Sequence, residues 1–588
     1  MNIQEADILR TLISEPFLSQ RLLAESSGYS LGTVNRALRQ LRREGYLNEA
    51  VQPTEKALAT GAARAPRNAV ILAAGFGMRM VPINLSTPKG LLEVNGEPLI
   101  ERQIRQLHEV GIRDITLVVG FMKEKFEYLI DRCGVSLVVN PEYALKNNLS
   151  SLALVCDRIS NTYIIPSDLW CARNPFRARE MHSWYMVSDR ADRDSGFRVN
   201  RKGELVRVRD RAGGNAMVGI AYLLEEDAAP LRQRIRDLAA RRENDESFWE
   251  AALCEEEKMT VPARVLPAPE VCELNTYEQL RSLDGNSSDL KSEALDLIAS
   301  VFQVDTSEIV EIRVLKKGMT NRSFLFSVRG KRYIMRIPGE GTNRLINRAQ
   351  EAAVFRAISG FGFCDDPVYL NPENGYKITR YLEGVRTCDA DNPEDLSRCM
   401  GLLRRLHGLR LTVDHEFDLF GQIRFYESLW NGRPSIYKDY AQTRDAVFRL
   451  KPWLDSLEKD RCLTHIDANA DNFLFYRTEG GEGLQLTDWE YSGMQDPHVD
   501  IAMFCIYSLY DKARTDRLID LYFQGDCPAP IRAKIYAYIA VCGLLWSNWC
   551  ELKMMYGVEF GEYSLRQYRY AKEYTRYAMK EKGERTEP

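Results

Sequence analysis

The sequence predicts a multidomain chain of mixed α/β and α+β class, and three changes of texture along it predict this. Residues 1–60 consist of short helical patterns. From Asn68, apolar β-rich runs (NAVILAAG, DITLVVG, VSLVVN) alternate with helix-length segments near Leu99–Val110 and Lys123–Arg132. That alternation argues for a parallel sheet with helices on both faces. Beyond residue 290 come a helix, three strand-like stretches (IRVLKKG, SFLFSV, RYIMRIP) and a long, aromatic-rich helical region. GAARAPR, from Gly61 to Arg67, lacks periodicity, and LDGNSSDLKSE, from Leu283, is polar and turn-rich, so both read as linkers. The expected domains are residues 1–62, 67–284 and 290–588.

A chain of 588 residues has room for about three to five domains. With 45% hydrophobic and 28% charged residues it can bury large cores. A formal net charge of -4 excludes a protein that is basic throughout for polyanion binding. No apolar run approaches the ~18–20 residues that span a bilayer, so no membrane partner is expected. The opening MNIQEADILRTLISEPF lacks a basic segment followed by an apolar one, which argues against a signal peptide. The 13 cysteines form no CxxC pair and no cluster with histidine; reduced thiols in a cytoplasmic protein are the expectation.

In the first sixty residues, one helix carries Leu22, Leu23 and Ala24, and Gly28 permits a turn. A second helix, about Ser30 to Glu44, turns Val34, Leu38 and Leu41 inward and leaves Asn35, Arg36, Arg39 and Arg42 outside. Gly45-Tyr46-Leu47 then begins a wing-like strand. The segment LSQRLLAESSGYSLGTVNRALRQLRREGYLNE resembles the winged helix-turn-helix of bacterial transcription regulators. That resemblance implies DNA as a partner of the outward face. Acidic residues nearly balance basic ones here, so dimerisation (a homodimer) or docking on the rest of the chain stays open.

In the centre, the strand AVILAAG runs into Gly75-Phe76-Gly77-Met78-Arg79, and Ser86-Thr87-Pro88-Lys89-Gly90-Leu91-Leu92 follows. Glycines let backbone N–H groups approach a triphosphate, and Arg79 and Lys89 can neutralise its charge as pyrophosphate leaves. LAAGxGxRM with PKGLLEVNGEPLIERQI resembles the sugar-nucleotide pyrophosphorylase-like superfamily, and within it the bacterial choline-phosphate cytidylyltransferases. VVGFMKEKFEYL, NPEYALKNNLSSL and TYIIPSDLW extend the resemblance over most of residues 68–285. It implies a Rossmann-like nucleotidyltransferase. Ala73, Ala74, Gly75, Gly77 and Arg79 would line the nucleotide site and Lys89 would touch phosphate. Asp168, beyond the strand TYIIPSD, would ligate Mg²⁺. The family's late acidic metal ligand falls in Glu273-Leu274-Asn275-Thr276, where Asn275 brings oxygen but no charge and Glu273 is the remaining carboxylate. Trp184, Tyr185 and Tyr222 suit either a pocket for a trimethylammonium head or plain packing.

The C-terminal third contains HxDxxxxN in His465-Ile466-Asp467-Ala468-Asn469-Ala470-Asp471-Asn472, then Leu486-Thr487-Asp488-Trp489-Glu490-Tyr491. A carboxylate, an amide five residues on and a second carboxylate suit phosphoryl transfer to a hydroxyl. Asp467 would accept the proton, while Asn472 and Asp488 would hold Mg²⁺ on ATP. Gly318, Thr320 and Asn321 lie where a phosphate-covering loop belongs. Arg336 stands where protein kinases place a lysine, with Glu351 as its partner. YKITRYLEG, near Tyr376–Glu383, suits an adenine hinge. DWEYSGMQDPHVDIA and these pieces together resemble the choline/ethanolamine kinase family over about residues 295–580, implying a protein-kinase-like choline kinase fold. Aminoglycoside phosphotransferases share HxDxxxxN but would want many carboxylates. Trp546 and Trp549 share a helix face, and with Tyr563 and Tyr568 they could box a quaternary ammonium. Glu490 is either a choline counter-charge or structural.

Together the two resemblances imply that ATP-dependent phosphorylation of choline feeds CTP-dependent cytidylyl transfer to phosphocholine. The product would be CDP-choline. Ethanolamine or 2-aminoethylphosphonate as substrate, and a ligand-sensing regulator with decayed enzyme domains, are the alternatives.

Overall fold

The computed structural model describes residues 1–588 apart from 16, 18, 76, 78–79, 81, 84–86, 209–212, 316–320, 340–345, 459, 556–559 and 584–588, and apart from the side chains of 321 and 322. It divides into two compact units, Met1–Leu297 and Ile298–Pro588. Among the described residues no helix is long and apolar enough to cross a membrane.

The first unit begins with four helices: α1 (Ile3–Ser14), α2 (Gln20–Ser27), α3 (Leu31–Arg43) and α4 (Glu55–Ala63). Each starts on a side-chain cap: Asn2, Ser19, Ser30 and Thr54. Gly28 closes α2 in the left-handed region at φ 71°. The α3 face of Val34, Leu38 and Leu41 is buried against Leu9 and Leu12 of α1, while Arg36, Arg39 and Arg42 are exposed. An antiparallel bridge between Leu47 and Pro53 makes the wing.

The expected 61–67 linker is not loose. Gly61 and Ala63 still belong to α4. The Arg64 guanidinium donates to the Met181 carbonyl at 2.7 Å, and the Arg64 carbonyl accepts from the Tyr222 hydroxyl. The segment after Leu283 is tied down as well. Asp284 and Asp289 accept from the backbone N–H groups of Asn95 and Glu93 at 2.7 and 2.6 Å.

The central sheet is mixed rather than all-parallel. Strands Ser136–Val139, Asp114–Val119, Asn68–Ala73 and Thr162–Pro166 lie side by side and parallel. Beyond them Gly214–Leu223 runs antiparallel, followed by Trp184–Asp192 and Lys258–Leu266. Alternation from strand to helix is legible only in the first half, because the second half returns by hairpin-like connections. Two apolar cores cover the two sheet faces. Strand order reverses at Asn68–Ala73, from which the chain goes on to Asp114–Val119 on one side and later to Thr162–Pro166 on the other, so a crevice opens at the carboxyl ends of Asn68–Ala73 and Thr162–Pro166.

The second unit starts with a five-stranded antiparallel sheet ordered Val310–Val314, Asn321–Val328, Lys331–Pro338, Lys377–Arg380 and Tyr369–Leu370. Helix Arg348–Ile358 accompanies it. The helical remainder centres on Ala529–Met554, whose residues from Ala533 to Leu545 are all buried, packed on Glu562–Glu581. All 13 cysteines are free thiols.

Two candidate active sites

In the first unit, three elements distant in sequence meet at the sheet crevice. Pro88 caps a short 3-10 turn, Lys89–Leu91. A Cβ on Gly90 would stand 3.0 Å from Ser167 Cβ, so glycine lets this turn lie against the segment bearing Asp168. Gly77 takes φ +61°, and a Cβ there would come within 2.8 Å of Lys89 Cγ, so the lysine stem runs across the glycine loop. Lys89 Nζ then donates to Asp168 at 3.0 Å and to the Asn275 side-chain oxygen at 2.7 Å. Asn275 arrives because strand Val271–Glu273 pairs with Leu169–Cys171, and the Leu274 N–H bonds the Asp168 carbonyl at 2.9 Å. Buried Gln103 clamps the same turn, donating to the Pro166 and Leu169 carbonyls at 2.9 and 3.1 Å.

Ala73 and Ala74 are buried at the end of their strand, and Gly75 is exposed beyond it. Arg79 lies outside the described residues. Glu273 is exposed, its backbone paired with Leu169. The three aromatics do not share one pocket, which corrects their expected place at an ammonium head. Trp184 and Tyr185, neighbours on one strand, point to opposite faces. Trp184 packs with Tyr163 and Tyr222 in one core, and Tyr185 packs with Trp249 in the other. Tyr222 and Tyr185 spend their hydroxyls on the Arg64 carbonyl and on Glu250.

In the second unit the HxDxxxxN loop is bound from behind. Asp500, fully buried, accepts from the backbone N–H groups of His465 and Ile466 at 3.0 and 2.7 Å and lies 3.0 Å from His407 Nε2. These bonds hold Ile466 at φ 70°, an unfavourable conformation for a β-branched residue. The loop thereby presents Asp467, which accepts from the Asn469 and Asn472 amides at 2.9 and 3.1 Å. The Asn472 N–H₂ group is spent on Asp467, so its oxygen remains as an acceptor. Asp488 follows in the left-handed region at φ 65°. Burial first, then the Asp488 charge, pushes the Asp467 carboxyl up to about 8.

Above this loop Arg336 forms a fork with Glu351, at 2.6 and 2.8 Å, and donates to the Gly375 carbonyl at 2.9 Å. Arg348 reaches Glu351 at 3.0 Å and Glu490 at 3.2 Å, and Lys377 reaches Glu351 at 3.5 Å. Burial raises the Glu351 carboxyl, but the Arg336 bond and the charges of Lys377 and Arg348 overcome this and hold it at about 2. Glu490 belongs to this buried network beside Arg348, the structural one of its two expected roles. Gly318 and Thr320 lie outside the described residues. Asn321 begins the second strand of the sheet.

Beside the loop stands an aromatic wall. Trp546 packs on Tyr491, Trp549 on Phe560, and Tyr563 on Phe560 and Tyr507. Both tryptophans are half-buried. Tyr507 bonds Asp471. The Tyr563 phenol is pushed well up by burial, Cys550 and the Asp467 charge, so the ring stands near that carboxylate. Lys553 already places its ammonium 5.7 Å from the Trp549 centroid. Tyr568 does not join the wall. It stacks on Tyr437 at 3.8 Å, donates its hydroxyl to Asp439 at 2.8 Å and lies 2.8 Å from the Thr443 hydroxyl, which can donate to it.

Among the described residues no cluster of three or more His, Cys, Asp or Glu is set to hold a metal ion. The donor sets do fit a cation that keeps waters and shares phosphate oxygens. Asp488 is close enough for its charge to raise the Asp467 carboxyl, and the Asn472 amide bonds Asp467 at 3.1 Å. In the first unit Asp168 and Asn275 offer oxygens to one ammonium.

Three family models match the chain. They are winged helix-turn-helix DNA-binding over residues 1–48, MobA-like NTP transferase domain over 69–189 and phosphotransferase enzyme family over 311–538. Over 220 residues the chain is 34% identical to the choline-phosphate cytidylyltransferase of Streptococcus pneumoniae, covering 37% of this chain and 96% of that protein. Over 226 residues it is 33% identical to the 2-aminoethylphosphonate cytidylyltransferase of Lancefieldella rimae, covering 37% of this chain and 92% of that protein. The crystal structure of choline kinase LicA from Streptococcus pneumoniae is 29% identical, covering 48% of this chain and 97% of that one, with a TM-score of 0.42.

Proposed function

We propose that this chain, which belongs to the choline-phosphate cytidylyltransferase family, makes CDP-choline in two steps: it phosphorylates choline with ATP, then transfers a cytidylyl group from CTP to the phosphocholine. The observation that carries this reading is the aromatic wall of Trp546, Trp549 and Tyr563 standing beside Asp467, in a chain whose other site resembles one that consumes phosphocholine. The domains are read as residues 1–62, 67–284 and 290–588, working in the cytoplasm.

In the kinase step the choline hydroxyl oxygen attacks the γ-phosphorus of ATP and ADP leaves. Asp467 orients that hydroxyl and takes its proton. A carboxyl whose proton affinity lies near working pH suits a general base. Arg336, locked by Glu351, offers a fixed positive charge to the ATP phosphates. In the second step a phosphate oxygen of phosphocholine attacks the α-phosphorus of CTP and pyrophosphate leaves. Lys89 neutralises the developing phosphate charge, and the Ala73–Gly77 segment cradles the nucleotide. Proteins of these two families work on ATP or CTP with a divalent metal. Here Mg²⁺ would be held by Asn472 and Asp488, and by Asp168 with Asn275. Such a bound cation supplies neutralisation of phosphate charge during transfer.

The test is a substrate panel on the purified chain with ATP, CTP and Mg²⁺. Choline should release ADP and pyrophosphate and yield CDP-choline by mass. Turnover confined to ethanolamine or 2-aminoethylphosphonate would replace choline as the substrate. For the winged helix, DNA contact through Arg36, Arg39 and Arg42 is supported by their exposure on α3. A gel shift with upstream DNA that is unchanged in Arg36→Ala/Arg39→Ala would remove that role.

A further inference from the structure

Between α1 and the loop after Phe176 lies a cleft of about 470 Å³, lined by Arg10, Ile13, Ser14, Arg177, Ala178 and Arg179. Half of that lining is arginine. A fourth guanidinium, Arg264, faces the same carboxylate as Arg177: Glu180, 2% exposed, lies 3.5 Å from Arg264 and 4.0 Å from Arg177. The other acid within reach is Asp7, 4.0 Å from Arg10. It is already engaged by the Tyr29 hydroxyl at 2.7 Å and by His182 at 3.2 Å. Arg179 donates to the Ile13 carbonyl at 3.0 Å. Glu180 also accepts from the Tyr163 hydroxyl at 3.0 Å, so four guanidinium groups stand against two carboxylates that are both shared with other groups.

Two buried donors of this cluster, Arg10 Nε and Arg264 Nη1, make no hydrogen bond. Burial first, then the Arg177 charge, lowers the proton affinity of Arg10, and the same two causes bring Arg264 to about 10. The like charges therefore feel one another, and an anion would relieve both the repulsion and the unmade bonds.

We propose that this cleft binds a small phosphate-bearing molecule, which ties α1 of the winged-helix domain to the transferase. Its volume falls in the range of small-molecule sites, roughly 300–1,000 Å³, and Ile13 offers an apolar wall for the part of the ligand that is not phosphate. A nucleotide and free pyrophosphate share this chemistry. The site is separate from the Lys89 crevice and does not depend on which alcohol the kinase accepts.

Hydrogen–deuterium exchange on the full chain in Mg²⁺-free buffer tests it, with pyrophosphate, CTP and CDP-choline added separately. Exchange in peptides spanning residues 8–15 and 175–181 should slow, by about tenfold at ten times Kd. Slowing by pyrophosphate and the nucleotides alike assigns the phosphates alone, and slowing by nucleotides only assigns the larger ligand. Arg177→Gln, at a half-buried residue, should abolish this slowing while leaving any slowing around Lys89 in place. No slowing in those peptides with any of the three, slowing that survives Arg10→Gln/Arg177→Gln, or slowing by duplex DNA alone would overturn the proposal.

Discussion

Lys89 donates across 2.7 Å to the side-chain oxygen of Asn275, 186 positions further along the chain. The bond makes Asn275 a member of the transferase site although it carries no charge. Asn275→Asp should lower the Mg²⁺ concentration needed for half-maximal CTP consumption by on the order of tenfold, because ligand charge tunes affinity for hard cations. Asn275→Ala should raise it. A Mg²⁺ titration that is the same in all three proteins would detach this residue from the metal.

Asp467 makes the kinase unit pH-sensitive. Its folded carboxyl titrates at about 8 against a usual 3.8. Between these values the folded state holds a proton that the unfolded chain has released. Stability therefore falls as pH rises through this window and levels off above it. Without metal, the thermal transition of this unit should drop between about pH 5 and pH 8, and Asp467→Asn should remove that component. Mg²⁺ should stabilise the wild type more at the upper pH, and a Mg²⁺ effect equal at both pH values would contradict this.

Glu351 is the hub of the buried charge network, touched by Arg336, Arg348 and Lys377. Glu351→Ala leaves three buried cations short of an anion, so it should cost about 3–5 kcal/mol. Calorimetry should show the loss in the kinase transition and not in the transferase transition.

The aromatic residues divide into two kinds. Trp549→Leu should raise the KM for choline about fivefold to thirtyfold, the size of a lost cation–π contact of about 1–2 kcal/mol. Tyr568→Phe should leave that KM alone and cost about 1 kcal/mol of stability for its bonds to Asp439 and Thr443. Steady-state kinetics with a denaturant midpoint for each variant separates the two roles.

Much of both sites was readable in the sequence, because short loops carry them. His465 to Asn472 places a carboxylate and an amide by local spacing alone, and Gly77 with Lys89 lie within one strand–loop–turn segment. Arg336 with Glu351 was readable from strand–helix order. Tertiary placement decides the rest. Arg348 and Lys377 belong to residue types that usually face water, and only the fold buries them on Glu351. Gln103 and Asp500 act on backbone groups far away in sequence, which leaves no local pattern. Trp184, Tyr222 and Tyr568 were misplaced because an aromatic at helix or strand spacing looks the same whether it packs in a core or lines a pocket. The mixed second half of the central sheet escaped the reading for a similar reason, since apolar strand runs do not declare their direction.

Two separable sites are the central claim, and two variants test it most directly. With ATP, CTP, choline and Mg²⁺ supplied, Asp467→Asn should stop ADP release yet still consume CTP when phosphocholine is added. Asp168→Ala should still release ADP but consume no CTP even from supplied phosphocholine. Loss of both activities in both folded variants would contradict the assignment.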